Sequence, residues 1–125
     1  MKIKSFEDVL SWQKAQQLYV ELYKLMENSR DYSFKDQLLR ATLSISNNIA
    51  EGFDRHTNKE LRQFLVISRG SAAEVRSMLI VVEHLDVIPE ADRKRLLETT
   101  KDISKLLTGF IKSLNTDNGK QSTNT

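Results

Sequence analysis

At 125 residues the chain is long enough to bury a core as one domain, and the absence of cysteine excludes disulfide scaffolds, thiolate metal sites and cysteine nucleophiles together. Hydrophobic residues make up 39% and charged residues 29%, the balance of a globular protein rich in surface helix, and a net charge of +2 permits contact with polyanions without requiring it. The segment MKIKSFEDVLSWQKAQQ lacks an uninterrupted apolar run, and no later stretch approaches the roughly 18 apolar residues of a membrane span, so neither export nor insertion is expected and a cytoplasmic location fits.

One proline and four glycines leave the helical periodicity almost unpunctuated, which predicts an all-α fold. The first helix is expected from about Asp8 to Asn28, after a Ser5 cap, with Val9, Trp12, Gln16, Tyr19, Val20, Tyr23 and Met26 recurring at three- and four-residue intervals on its inner face. Ser33, with Asp36 in the following turn, reads as the cap of a second helix that runs to about Phe53. This helix carries Leu38, Ile45 and Ile49 on one side and Leu39, Leu43, Ala50 and Phe53 further round. Gln37, Ser44, Asn48 and Glu51 form a narrow polar stripe beside them. Two apolar surfaces flanking a polar stripe suggest a helix buried on more than one side, in an assembly as well as in a fold.

Thr57-Asn58-Lys59-Glu60 is a capping box that starts a third helix extending to about Leu85. Its inner face is read as Leu61, Phe64, Leu65, Ser68, Ala72, Val75, Leu79 and Val82. Gly70 sits in mid-helix at a cost of about 1 kcal/mol, to be offset by close helix approach or accepted as a slight bend. Pro89 suits the first turn of a fourth helix, in which Leu96, Thr100, Ile103, Leu107, Phe110 and Leu114 keep the period to about Asn115. Thr116 to Thr125 contains no apolar residue and reads as a disordered tail, leaving residues 1–115 as the domain. Four amphipathic helices with short connections predict an antiparallel up-and-down four-helix bundle. Its dry interior should include Trp12, Tyr19, Ile45, Ile49, Phe64, Leu65, Leu79, Ile103, Leu107 and Phe110.

Catalytic patterns are sparse. His56 and His84, read on different parts of the third helix, have no second nitrogen at helical spacing, and the Glu-x-x-His pairs of a bundle di-metal site are missing, so no metal is expected. Ser44, Ser46, Ser68 and Ser71 lie in mid-helix, away from the strained turns that build oxyanion holes. The glycines are too scattered for a phosphate loop. Neither an enzyme nor a cofactor is expected; a catalytic reading would have to rest on Glu51 and Glu74 facing each other across two helices. Ser71 and Glu74, one turn apart, also offer partners to the polar stripe, as a network that fixes register between helices or subunits or as a ligand site.

Arg55, Arg62, Arg69 and Arg76 recur every seven residues, with Lys59 nearby, and the last three form a slowly drifting row on one helix with about 10 Å between members. Such a row can track phosphates, or serve as a solvated face or as inter-subunit salt bridges. Arg40 is a weaker candidate on the second helix. No aromatic RNA-binding signature and no helix-turn-helix pattern accompanies these residues.

The run Gln37, Arg40, Ala41, Ser44, Ile45, Asn48, Ile49, Ala50, Glu51, Gly52, then Phe64, Leu65, Gly70, Ser71 and Glu74, resembles the 23S rRNA intervening-sequence protein family, also called the four-helix-bundle proteins. Phe6, Trp12 and Ala15 fit the same pattern, so the resemblance spans Phe6 to Leu114. It departs before the second helix, where NSRDYSF replaces a linker that often holds Pro and Glu. The resemblance implies an antiparallel four-helix bundle assembled as a homopentameric ring, with no established catalytic activity and with relatives encoded inside some rRNA genes. The resulting expectation is a non-enzymatic, oligomeric interaction protein that binds RNA or a nucleic-acid-processing protein through Arg62, Arg69 and Arg76, with Arg40, Arg55 and Lys59 as weaker contributors. The alternative is a structural or protein-partner scaffold that binds no nucleic acid.

Overall fold

Long stretches without proline or clustered glycine leave the backbone free to pair with itself, and the computed structural model, which describes residues 3–114, is helical nearly throughout. A short 3-10 turn, Phe6–Asp8, precedes α1 (Leu10–Leu25), α2 (Tyr32–Phe53), α3 (Asn58–Val82) and α4 (Glu90–Leu114), with no strand among the described residues. The tail expected over Thr116 to Thr125 lies outside the described residues.

The helix ends follow the capping chemistry, with some shifts of position. Asp8 accepts the backbone N–H groups of Lys4 and Ser5 at 2.9 and 3.3 Å, so the chain turns here and α1 begins two residues later than the periodicity predicts. Asp31, not Ser33, caps α2, accepting from the Phe34 N–H at 3.2 Å. Thr57 accepts from the Glu60 N–H at 3.1 Å while its hydroxyl donates to the Glu60 carboxylate at 3.1 Å, which realises the predicted start of α3. α3 ends at Val82, short of Leu85, and Asp86 adopts a left-handed φ of 58° that redirects the chain. Pro89 then sits one residue before α4, its carbonyl accepting from Arg93 N–H at 2.9 Å.

Each helix packs on its neighbours in sequence, and α1 closes the ring of four on α4. Cross-helix bonds show the antiparallel sense. Gln16 Nε2 donates to Ser46 Oγ at 3.2 Å and Lys35 Nζ to the Glu27 carbonyl at 3.3 Å, joining α1 to α2. Ser68 Oγ donates to the Ile45 carbonyl at 2.7 Å, joining α2 to α3. Arg69 Nη1 donates to Thr108 Oγ1 at 3.1 Å, joining α3 to α4. Leu18, Leu22, Leu38, Ile45, Ile49, Leu65, Leu79, Leu96, Ile103 and Leu107 fill the interior, each fully buried side chain contributing about 1.5–3 kcal/mol. The buried Thr42 and Thr100 hydroxyls return to helix carbonyls at 2.7 and 2.6 Å, so these polar groups leave no unpaired hydrogen in the core.

The inner face of α1 differs from the sequence expectation. Ser11, Ala15, Leu18, Leu22 and Met26 are buried, whereas Trp12, Gln16 and Tyr19 lie half-buried at the margins and Val20 and Tyr23 are 47% and 53% exposed. Both stripes have helical spacing; the narrower one packs inward because Ser11 and Ala15 admit neighbouring helices that a Trp or Tyr would hold away. Phe64 and Phe110 are likewise half-buried, and Phe110 meets Phe53 edge to face at 5.9 Å. The second apolar side of α2 is covered in part within the chain: Gln16 bonds Ser46 on that side, and Leu39, Leu43 and Ala50 are half-buried.

Two glycines have opposite meanings. A Cβ on Gly52 would stand 2.8 Å from Leu61 Cδ1 and 3.0 Å from Phe64 Cβ, so a side chain there would force Leu61 or the α2–α3 contact to shift. A Cβ on Gly70 meets nothing within 4 Å, and the close approach that would offset its helix cost does not occur among the described residues. At the α3–α4 corner, Arg93 is 6% exposed and grips Glu90 through Nε and Nη2 at 2.9 and 2.7 Å, with Glu83 at 3.9 Å. The Arg93 hydrogen bond holds the Glu90 carboxyl below the usual carboxylate range.

Gly52→Ala should destabilise the fold by about 1–3 kcal/mol through overpacking, whereas Gly70→Ala should stabilise it by about 0.5–1 kcal/mol, both read as shifts in the urea midpoint at constant slope. Because the folded Glu90 pKa is depressed, its contribution is complete above the pKa of an unfolded glutamate and is lost as pH falls through the lower folded value. Urea titrations across that acidic range should show a smaller stability loss for Glu90→Gln than for the parent chain.

Candidate nucleic-acid interface

The inward face of α3 is fixed by Leu61, Leu65, Ser68, Ala72, Val75 and Leu79, all buried, and this leaves Arg62, Arg69 and Arg76 along the outer edge that borders α4. Arg62 and Arg69 are half-buried and Arg76 is exposed. The Arg69–Thr108 bond ties this row to α4, where Lys101, Lys105, Thr108 and Lys112 follow one another at intervals of four, three and four residues and so share a face. Two antiparallel rows of cations thus lie side by side. Lys101 is 3.4 Å from Glu98, while Arg76, Lys105 and Lys112 have no carboxylate within ion-pairing distance among the described residues. The lysine row was not among the sequence candidates, although its spacing was visible; Glu98 and Asp102 interrupt it in the sequence, and its value appears only when Thr108 meets Arg69.

The other cations stand apart from this edge. Arg55 belongs to the turn between α2 and α3, where its guanidinium lies 4.7 Å over the Phe64 ring and Nη2 bonds Glu51 at 3.1 Å. Its buried Nε has no hydrogen-bond acceptor among the described residues, so the stacked ring is the main contact of that part of the group. Arg40 lies on the exposed side of α2 and bonds Asp36 at 2.7 Å, an interaction that raises the already high pKa of the guanidinium. Lys59 is exposed in the first turn of α3.

The polar stripe is brought together in part. Asn48 Nδ2 donates to the Ser44 carbonyl at 2.8 Å and to Ser44 Oγ at 3.0 Å, and the Ser44 and Ser71 hydroxyls share a hydrogen bond at 2.9 Å. These three residues form a half-buried seam between α2 and α3 that sets their register. Gln37 and Glu74 are exposed outside it, and Glu51 turns to Arg55. Along the axes, Glu51 lies two turns beyond Ser44 and Glu74 one turn beyond Ser71 in the opposite direction, separating the two carboxylates by about 15 Å. They therefore cannot share a reacting group.

Both histidines fall outside α3, His56 in the turn before it and His84 after its end, and both are exposed. Among the described residues no three His, Asp or Glu side chains come together to hold a metal, and no helix is long and apolar enough to cross a membrane.

The family profile of the 23S rRNA-intervening sequence proteins matches residues 7–109. A comparison with curated proteins gives no match. Among solved structures, a protein of unknown function from the S23 ribosomal protein family of Bacteroides thetaiotaomicron superposes with a TM-score of 0.77 at 22% identity, over 82% of this chain and 99% of that one. At that identity the likeness concerns the fold, whereas the profile match spans most of the chain from α1 into α4: the protein belongs to the 23S rRNA-intervening sequence protein family.

Proposed function

We propose that this protein is a non-enzymatic, cytoplasmic interaction module that assembles as a homopentameric ring and binds RNA through the paired basic rows of α3 and α4. The observation that carries the RNA reading is the Arg69–Thr108 junction, which aligns Arg62, Arg69 and Arg76 with Lys101, Lys105 and Lys112 on one edge of the bundle. A concentration of cations on one edge, in a chain whose net charge is only +2, is an electrostatic footprint for a polyanion. The family's occurrence within rRNA genes favours RNA among the polyanions. The separation of Glu51 from Glu74 favours binding over catalysis.

Assembly is supported by a second surface of α3. Val66, Ile67, Ile80 and Val81 are exposed on its outward side, in two pairs on either side of Gly70 and Ala73, and exposed apolar side chains of this kind favour a contact surface. The same surface favours the second reading, a protein scaffold in which the arginines pair with acids of a neighbouring subunit.

Light scattering should give five times the 14.4 kDa chain mass, and Val66→Glu with Ile80→Glu, both at exposed positions, should reduce it to the single chain. Replacing Arg62, Arg69 and Arg76 together by Ala should weaken binding of an RNA probe at low salt at least tenfold, and unchanged affinity would remove the RNA reading. The scaffold reading instead requires negligible RNA affinity at the outset and a changed mass on Arg62→Ala or Arg69→Ala.

A further inference from the structure

We infer that the α3–α4 edge takes double-stranded RNA by the phosphates of both strands, an inference that rests on the RNA-binding reading and specifies its partner. The two rows run antiparallel on adjacent helices, whose axes are about 8–10 Å apart. Arg62 to Arg76 spans about 21 Å and Lys101 to Lys112 about 16 Å along the helix axes, so each row carries three cations over about three to four helical turns. A single backbone laid along one row leaves the other unused. In an A-form duplex the major groove is narrow, so two phosphate backbones run side by side and each can meet one row.

The distribution of aromatic side chains argues in the same direction. Surfaces that bind single strands stack successive bases on exposed aromatic rings, each base contributing about 1–3 kcal/mol. Here Phe64 lies under Arg55 on the α2 side of α3, Phe110 packs on Phe53 on the α1 side of α4, and Tyr19 pairs with Tyr23 on α1 at 6.1 Å. Phe6 meets Trp12 at 5.2 Å near the start of α1. None of these rings stands between the two cation rows. Arginine and lysine without a stacking platform engage phosphates, which carry position but no sequence information.

The test compares a 20-base-pair RNA duplex with a 20-nucleotide oligouridine by fluorescence anisotropy over a series of salt concentrations, using the full chain. The duplex should bind at least tenfold more tightly, and Lys105→Gln with Lys112→Gln should reduce the slope of log affinity against log salt for the duplex by about 2. Arg76→Gln should reduce the same slope by about 1. All three side chains are exposed, so circular dichroism of the variants should be unchanged. Oligouridine binding as tightly as the duplex, or a duplex slope insensitive to the lysine pair, overturns the duplex inference while leaving RNA binding in place. Binding of neither probe overturns both.

Discussion

The closeness of α2 to α3 determines much of the rest of the molecule. Gly52 lets the end of α2 settle on Leu61 and Phe64, and Ser68 reaches across to the carbonyl of Ile45 at 2.7 Å in the middle of the same contact. The outer margin is then joined by Ser44, Asn48 and Ser71. With α3 held at both depths, its rotation about its own axis is fixed, and that rotation decides which residues are presented outward. A rotation of one residue's width would move the arginine row into the α4 contact or away from Thr108. The basic edge is therefore a consequence of uncharged groups on the opposite side of the helix.

Which parts of this arrangement were legible in the sequence follows from how each signal is encoded. The core of α3 was readable because Leu61, Leu65, Ser68, Ala72, Val75 and Leu79 form one stripe bounded by charges. α1 offered two stripes of equal period, and aromatic bulk favoured the wrong one; only the space between neighbouring helices selects Ser11, Ala15, Leu18 and Leu22. The need for Gly52 is invisible along the chain, since it depends on atoms of Leu61 and Phe64 that approach in the folded state. Asp31 outcompeted Ser33 as a cap because caps are chosen by where the first free N–H groups lie, and a difference of two residues is below what periodicity resolves.

The polar stripe on α2 illustrates a difference between shared face and shared contact. Gln37, Ser44, Asn48 and Glu51 lie on one side of the helix, but only Ser44 and Asn48 enter the seam with Ser71 of α3. Ser44 and Asn48 consequently find Ser71, while Gln37 remains in solvent and Glu51 pairs with Arg55. Hydroxyl and amide groups can satisfy one another in a half-buried seam at little cost; a carboxylate there would lose hydration without a cation to replace it. The chemistry of the side chains thus sorts the stripe into a register device and a solvated remainder.

α3 carries two unlike surfaces side by side, and their adjacency constrains how each can be used. Val66, Ala73 and Ile80 lie on the outward side, and Arg62, Arg69 and Arg76 lie immediately beside them toward α4. Burial of the apolar stripe by another copy would bring a neighbour close to the arginines, lowering the local dielectric and strengthening their field at the exposed lysine row. The Arg69–Thr108 bond works against loss of that field, because it holds the guanidinium on the α4 side instead of letting it fold back over the apolar stripe. Any contact made at Val66 and Ile80 would therefore lie next to the arginines, with the Arg69–Thr108 bond holding one guanidinium toward α4.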